Sequence, residues 1–167
     1  VCVTLEAGQY GILVTGLLAG CLVLLKGGKE VAAGLFLGLA LVKPTISAPF
    51  FLVLLCRRHY VACASTLGYC VCASLITWVV IGTNPLELLQ QLHASGSTYA
   101  DEGTFDLIHV LLAAGMERRA VLLAVMAGCL ALLFAVLILR NQRLSLADAF
   151  GLAAVVGRFW TYHRSYD

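Results

Sequence analysis

Long apolar stretches separated by short basic turns constrain the fold of this chain more than any other feature of its sequence. A helix needs about 20 apolar residues to cross the hydrocarbon core of a bilayer, and residues 60–81 and 120–139 each provide that length. Hydrophobic residues make up 61% of the chain and charged residues 12%, whereas soluble domains have roughly 45–50% and about 25%. The sequence therefore predicts an all-α fold, a polytopic transmembrane helical bundle.

The remaining segments fit this prediction. Further apolar runs cover residues 10–25, 31–56 and 144–160, and residues 83–119 are polar. We expect 1–167 to form a single transmembrane domain in which 83–119 is a non-cytoplasmic loop. The chain begins without methionine and ends after an aromatic, charged cluster, so we expect a fragment of a longer protein. A net charge of only +2, without a basic run, argues against a nucleic-acid partner.

The run 31–56 contains Lys43 followed by Pro44, and it allows two topologies. One tilted span would put the ammonium at the bilayer midplane, at a cost of about 2.5–3.5 kcal/mol. Two short helices hinged at Lys43-Pro44 would return it to a membrane surface, and the residue before a proline is biased away from helix. We favour this hinged helical hairpin, which puts Lys43 on the non-cytoplasmic face, opposite the basic turns. The small-residue spacing of Gly34 and Gly38 predicts close helix packing.

Lys43 is the first candidate for a substrate-binding residue. A lysine at the mouth of a membrane cavity pairs with a phosphate or carboxylate as a point charge, and Pro44 would fix its position. The alternative is that its side chain extends to the lipid headgroups.

The C-terminal segment "FWTYHRSYD" supplies a second group of candidates. His163 and Asp167 are four residues apart and share a face on a helix, so the carboxylate can orient the imidazole. Arg164 offers a guanidinium suited to phosphate. We take His163 and Asp167 as candidate catalytic residues and Arg164 as substrate-binding. The alternative is a surface ion pair beside an interfacial aromatic belt.

The other polar residues give weaker signals. Gln9, at the outer end of the first apolar run, suits either a hydrogen bond to a sugar or a helix cap. We expect Asp148 to face other helices and His59 to lie among lipid headgroups. Cysteines within the apolar runs are expected to act as small hydrophobic residues. The sequence has no zinc motif and no phosphate-binding glycine loop, so we predict no cofactor and leave a divalent metal ion open.

Four segments, "GQYGILVTGLLAG", "AAGLFLGLALVKPT", "CRRH" and "YHRSYD", resemble in order and spacing the polytopic glycosyltransferases of family 87, also called the domain of unknown function 2029 family. The resemblance implies a membrane enzyme of the GT-C type, with its active site on the non-cytoplasmic face of the cell envelope. It also implies a polyprenyl-phosphate sugar donor, often of mannose, and a lipid or glycan acceptor.

Individual residues carry this resemblance to different degrees. Gly8-Gln9 matches the family's Gly-Gln at the outer start of a helix, whereas Tyr10 departs from the asparagine that often follows. Lys43-Pro44 matches a lysine followed closely by proline, and His163 matches a late outer-face histidine. The family's essential aspartate lies in a first outer loop that would precede Val1, so the resemblance implies that this chain is inactive alone.

Two other function classes fit the same composition. A transporter or flippase is also polytopic and uses broken helices with a buried charge. A non-catalytic membrane scaffold would carry its polar residues scattered over lipid-facing surfaces. In each case we expect a multi-pass membrane protein surrounded by membrane lipids, and the plasma membrane is the expected location.

Overall fold

The structure, a computed structural model, describes residues 11–82, 118–139 and 143–158. Regular secondary structure within these ranges is entirely helical, which confirms the all-α prediction. The six helices are α1 (Gly11–Lys26), α2 (Glu30–Ala40), α3 (Pro44–Cys56), α4 (Tyr60–Ile81), α5 (Arg118–Leu139) and α6 (Leu146–Arg158).

Among the described residues, α4 is the one helix that is long and apolar enough to cross a membrane by itself, over Tyr60–Val80. A buried core helix of a soluble protein would pass the same test, but α4 is mostly exposed. Val79 is 82% exposed and Val80 is 77% exposed. An apolar helix without a protein partner on most of its surface is typical of a membrane span. The other described helices contain shorter apolar segments, among them Ala124–Leu139 of α5.

Two basic turns of the same geometry connect α1 to α2 and α3 to α4. In the first, Gly28 has a φ of 71°, its amide donates to Leu25, and the next amide, of Lys29, donates to Leu24. In the second, Arg58 has a φ of 61°, its amide donates to Leu55, and that of His59 donates to Leu54. This is the Schellman ending of a helix, which satisfies carbonyls that the helix itself leaves unpaired.

The chain reverses its direction at Lys43. Helix α2 ends at Ala40 and α3 begins at Pro44, so the predicted break at Lys43-Pro44 is confirmed. His59 Nδ1 donates to Glu30 Oε1 at 2.8 Å, which places the starts of α2 and α4 side by side. Further along both helices, Gly38 lies against the ring of Tyr69. Helices α2 and α4 are therefore parallel, and α3 runs back from the end of α2 to the start of α4.

The hairpin formed by α2 and α3 is short compared with α4. Its helices have 11 and 13 residues, which is about 16 and 20 Å at 1.5 Å per residue, whereas the 22 residues of α4 extend for about 33 Å. Beyond Tyr69, the partner of Gly38, α4 continues to Ile81 for roughly 18 Å. The Lys43 turn therefore lies beside the middle of α4 and does not reach its far end.

Helix α2 packs between α1 and α4, while α3 packs against α6 and α5. Each helix contributes one stripe of buried apolar side chains to the shared core, and its other faces stay largely exposed. On α1 this stripe has the helical spacing of Val14, Leu18, Cys21 and Leu25. The core continues with Ala33, Leu37, Phe50, Val53, Leu54, Leu133, Leu137, Phe150, Ala153 and Val156.

Candidate functional site

The Lys43 turn is built by the proline that follows it. Pro44 occupies the first position of α3, where its missing N–H costs no helical hydrogen bond and its fixed φ suits the helix. Lys43 is the N-cap residue, with φ −118° and ψ 79°, and its own carbonyl accepts the amides of Ile46 at 3.1 Å and Ser47 at 3.2 Å. Its side chain is half-buried. The backbone of Lys43 is thus tied to the first turn of α3.

A buried hydroxyl closes this turn. Ser47 Oγ donates to the carbonyl oxygen of Ala40 at 2.6 Å, and both residues are fully buried. The Lys43 amide donates to the same carbonyl at 3.2 Å. Since the last carbonyls of a helix have no partner within the helix, these two bonds satisfy the end of α2 and tie it to α3.

The contact between α2 and α4 fixes the helix that leads into the Lys43 turn. A β-carbon on Gly34 would overlap the carbonyl oxygen of Ala62, and one on Gly38 would come within 2.7 Å of the Tyr69 ring. Thr66 Oγ1, which is fully buried, bonds to the carbonyls of both Gly34 and Ala62 at 2.9 Å. The prediction that Gly34 and Gly38 serve close packing is confirmed, and this packing fixes the position of α2.

Carboxylates of the described segments lie far from Lys43. There are two, Glu30 and Asp148, and both occupy the end of the bundle that carries the basic turns. Glu30 is bonded to His59, whereas Asp148 accepts the amide and hydroxyl of Ser145 at 3.1 and 2.7 Å. Within the described ranges, Lys43 is therefore a cation that has no carboxylate near it.

One sequence-based expectation at the basic end, that for Asp148, is wrong. Asp148 is exposed and caps α6, and does not face other helices, because Ser145 Oγ also accepts the Asp148 amide at 3.1 Å in a reciprocal capping box. The spacing Ser-x-x-Asp was the signal that would have identified it. His59 is bonded to Glu30 and half-buried, and its expected position among lipid headgroups stays a prediction.

Arg57 is a structural residue without a recognisable signal in the sequence. Its guanidinium donates to the carbonyls of Leu144 and Ser145, the latter at 3.2 Å. These bonds attach the turn between α3 and α4 to the start of α6, 88 positions later. No local pattern in the sequence indicates so distant a partner.

Most predicted site residues lie outside the described ranges. Gln9, His163, Arg164 and Asp167 do so, as does most of the predicted loop 83–119. Their convergence with Lys43 stays a prediction, and Lys43 is the one predicted site residue whose surroundings are known. Residues 11–82, 118–139 and 143–158 contain no group of His, Cys, Asp and Glu side chains suited to a metal ion.

A family model described as glycosyltransferase family 87 matches residues 1–161. No curated protein and no solved structure matches the chain.

Proposed function

The chain belongs to glycosyltransferase family 87, and from this premise we propose that it is part of an integral-membrane hexosyltransferase that uses a polyprenyl-phosphate sugar, with mannose as the first candidate. Membership makes sugar transfer the activity of the family. The lipid-linked donor, the non-cytoplasmic active site, the GT-C type and the multi-pass arrangement in the plasma membrane are parts of our proposal.

The cationic turn at Lys43 carries this proposal. With α4 crossing the bilayer, the turn lies about 16 Å from the basic end of the bundle, within a hydrocarbon core that is about 30 Å thick. An ammonium there costs about 2.5–3.5 kcal/mol on insertion scales, and neither described carboxylate is near enough to offset that cost. A bound anion would offset it. The phosphate of a lipid-linked sugar is such an anion.

In the proposed reaction, a hydroxyl of the lipid or glycan acceptor attacks the anomeric carbon of the donor sugar. The bond from that carbon to the phosphate oxygen breaks, and its electron pair leaves with the polyprenyl phosphate. Lys43 and Arg164 stabilise the charge that develops on the phosphate. The hydroxyl proton passes to a base, a role that the family resemblance gives to an outer-loop aspartate, with assistance from His163 oriented by Asp167. Gln9 would bind the sugar.

Family membership favours this function over a transporter or flippase. Both classes would place a charge at a break between helices, so the hairpin by itself does not separate them. Transfer of a sugar does separate them, because a transporter releases its substrate unchanged.

The test uses the full-length protein that contains this chain, in lipid nanodiscs with radiolabelled polyprenyl-phosphate mannose and a membrane glycolipid fraction as acceptor. We expect label to move to the acceptor, and Lys43→Ala to lower kcat/KM by about 10- to 100-fold, the range for losing a charge-assisted contact. Lys29→Ala, which removes an exposed lysine at the opposite end, is the matched control and should be fully active. The proposal is wrong if the wild type transfers no sugar from lipid-linked donors, or if Lys43→Ala matches Lys29→Ala.

A further inference from the structure

An apolar groove lies between α1, α3 and α6, with a volume of about 410 Å³. This volume is within the range of about 300–1,000 Å³ that is usual for small-molecule sites. The lining includes two residues from each helix: Leu18 and Leu22, Ile46 and Phe50, and Phe150 and Ala154.

The chemistry of the lining favours a hydrocarbon ligand. Among the described residues of the lining, Thr15 has the one side chain able to form hydrogen bonds, and its hydroxyl already donates to the carbonyl of Gly11 at 2.9 Å. A sugar or nucleotide in this groove would leave its polar groups without partners, which costs about 1–3 kcal/mol for each. A hydrocarbon chain needs no such partners.

Small residues on α6 create the space. Ala147, Gly151 and Ala154 follow one another at helical spacing along the wall, and a β-carbon on Gly151 would have nothing within 4 Å. Beside them, Phe150 of the same helix meets Phe50 of α3 edge to face, with ring centroids 5.2 Å apart. This aromatic pair is a rigid apolar surface for a ligand to lie against.

One end of the groove lies next to the cationic turn. Ile46 in its wall donates its amide to the Lys43 carbonyl at 3.1 Å, so Lys43 stands one helical turn from the lining. Away from Lys43 the groove follows α3 past Phe50 toward the basic end, because α3 and α6 run antiparallel with Arg57 at Ser145 and Phe50 at Phe150. A cation at the head of an apolar channel is complementary in charge and polarity to an anionic lipid.

We propose that this groove binds the isoprenoid chain of the donor, with the phosphate on Lys43 and the first isoprene units against Ile46 and Phe50. The inference rests on the proposed function and adds to it the surface that recognises the lipid. The groove then selects polyprenyl phosphates over the glycerophospholipids of the membrane. In a polyprenyl phosphate the hydrocarbon chain is joined directly to the phosphate, whereas in a glycerophospholipid glycerol separates the two.

The experiment measures binding of farnesyl phosphate, without a sugar, to the full chain in phosphatidylcholine nanodiscs. A farnesyl phosphate with a diazirine at its distal end should label α3 and α6 near Phe50 and Phe150, and excess polyprenyl phosphate should compete. Gly151→Phe fills the groove in open space and should weaken binding about tenfold, or 1.4 kcal/mol. Val155→Phe, on an exposed face of α6 outside the lining, should bind like the wild type.

Ala154→Leu fills less of the same groove and serves as a second variant in case Gly151→Phe fails to fold. All variants should elute in size-exclusion chromatography and unfold like the wild type. The groove assignment is overturned if the filled variants bind farnesyl phosphate normally, or if phosphatidylglycerol competes equally. If Lys43→Ala abolishes binding while the filled variants bind normally, the groove inference fails and the proposed function stands. If the wild type binds no prenyl phosphate at all, the proposed lipid-linked donor fails as well.

Discussion

Gly34 of α2 lies directly against the backbone carbonyl of Ala62 in α4. A β-carbon on Gly34 would overlap that oxygen and would also lie 2.7 Å from the Cβ of Ser65. Because the obstacle is backbone, no rotation of a side chain can relieve it. The distance between α2 and α4 is therefore set by this glycine, and the position of the Lys43 turn follows from it.

Gly34→Ala should lower the free energy of unfolding by about 1–3 kcal/mol, the usual cost of overpacking a tight contact. Gly68→Ala, on α4, is the matched control because a β-carbon there has nothing within 4 Å. That variant should be neutral or more stable by up to about 1 kcal/mol, since alanine is the better helix former. Thermal unfolding in detergent micelles compares the two, and equal midpoints would contradict the packing argument.

Local chemistry explains why the hinge was predictable from the sequence. Pro44 cannot continue the helix that precedes it, and it biases Lys43 away from helix, so the break is encoded by two adjacent residues. The expected return of Lys43 to a membrane surface does not follow from this break alone, because it also depends on the lengths of the two helices. Two helices cut from the run 31–56 are each about half of a membrane span, and the observed helices of 11 and 13 residues are indeed short.

Contacts between distant segments leave no local pattern in the sequence. His59 pairs with Glu30 across 29 positions, and Arg57 reaches Ser145 across 88. These pairings depend on the register between helices, which is fixed by glycine contacts and buried apolar stripes rather than by any repeating pattern. For the candidate site, Lys43 and its proline can be recognised in the sequence. The apolar groove beside them cannot, because it forms only where three helices meet.

Glycine should be the favoured residue at the equivalent position of both basic turns. Arg58 holds a positive φ of 61°, whereas glycine holds 71° at Gly28. A residue with a β-carbon pays roughly 1–2 kcal/mol for this conformation. Arg58→Gly should therefore stabilise the protein by about 1 kcal/mol and Gly28→Ala should destabilise it by a similar amount. The measurement is again the unfolding midpoint in micelles, and a destabilised Arg58→Gly variant would show that the Arg58 side chain contributes contacts that outweigh the strain.

The bond between His59 and Glu30 should contribute measurably to the parallel pairing of α2 and α4. Both side chains are about a quarter to a third exposed, at 25% and 31%, so solvent weakens the interaction without removing it. We expect His59→Ala and Glu30→Ala each to cost about 1 kcal/mol. The double variant should cost less than their sum by about 0.5 kcal/mol. A double-mutant cycle on unfolding free energies gives this difference, and strictly additive costs would mean that the two groups do not interact in the folded protein.

Ser47 should affect donor binding through the shape of the Lys43 turn. Its buried hydroxyl links two helices by its 2.6 Å bond to Ala40, so Ser47→Ala frees the start of α3 from the end of α2 and loosens the residue between them. We expect a loss of about 1 kcal/mol in stability and a Kd for farnesyl phosphate raised about 3- to 10-fold, with kcat nearly unchanged at saturating donor because Ser47 does not touch the reacting atoms. Thr77→Val is the matched control, because the Thr77 hydroxyl bonds to Ala73 at 2.8 Å, a partner within α4 itself. If Ser47→Ala loses stability but keeps the Kd of Thr77→Val, the hydroxyl stabilises the fold without positioning Lys43.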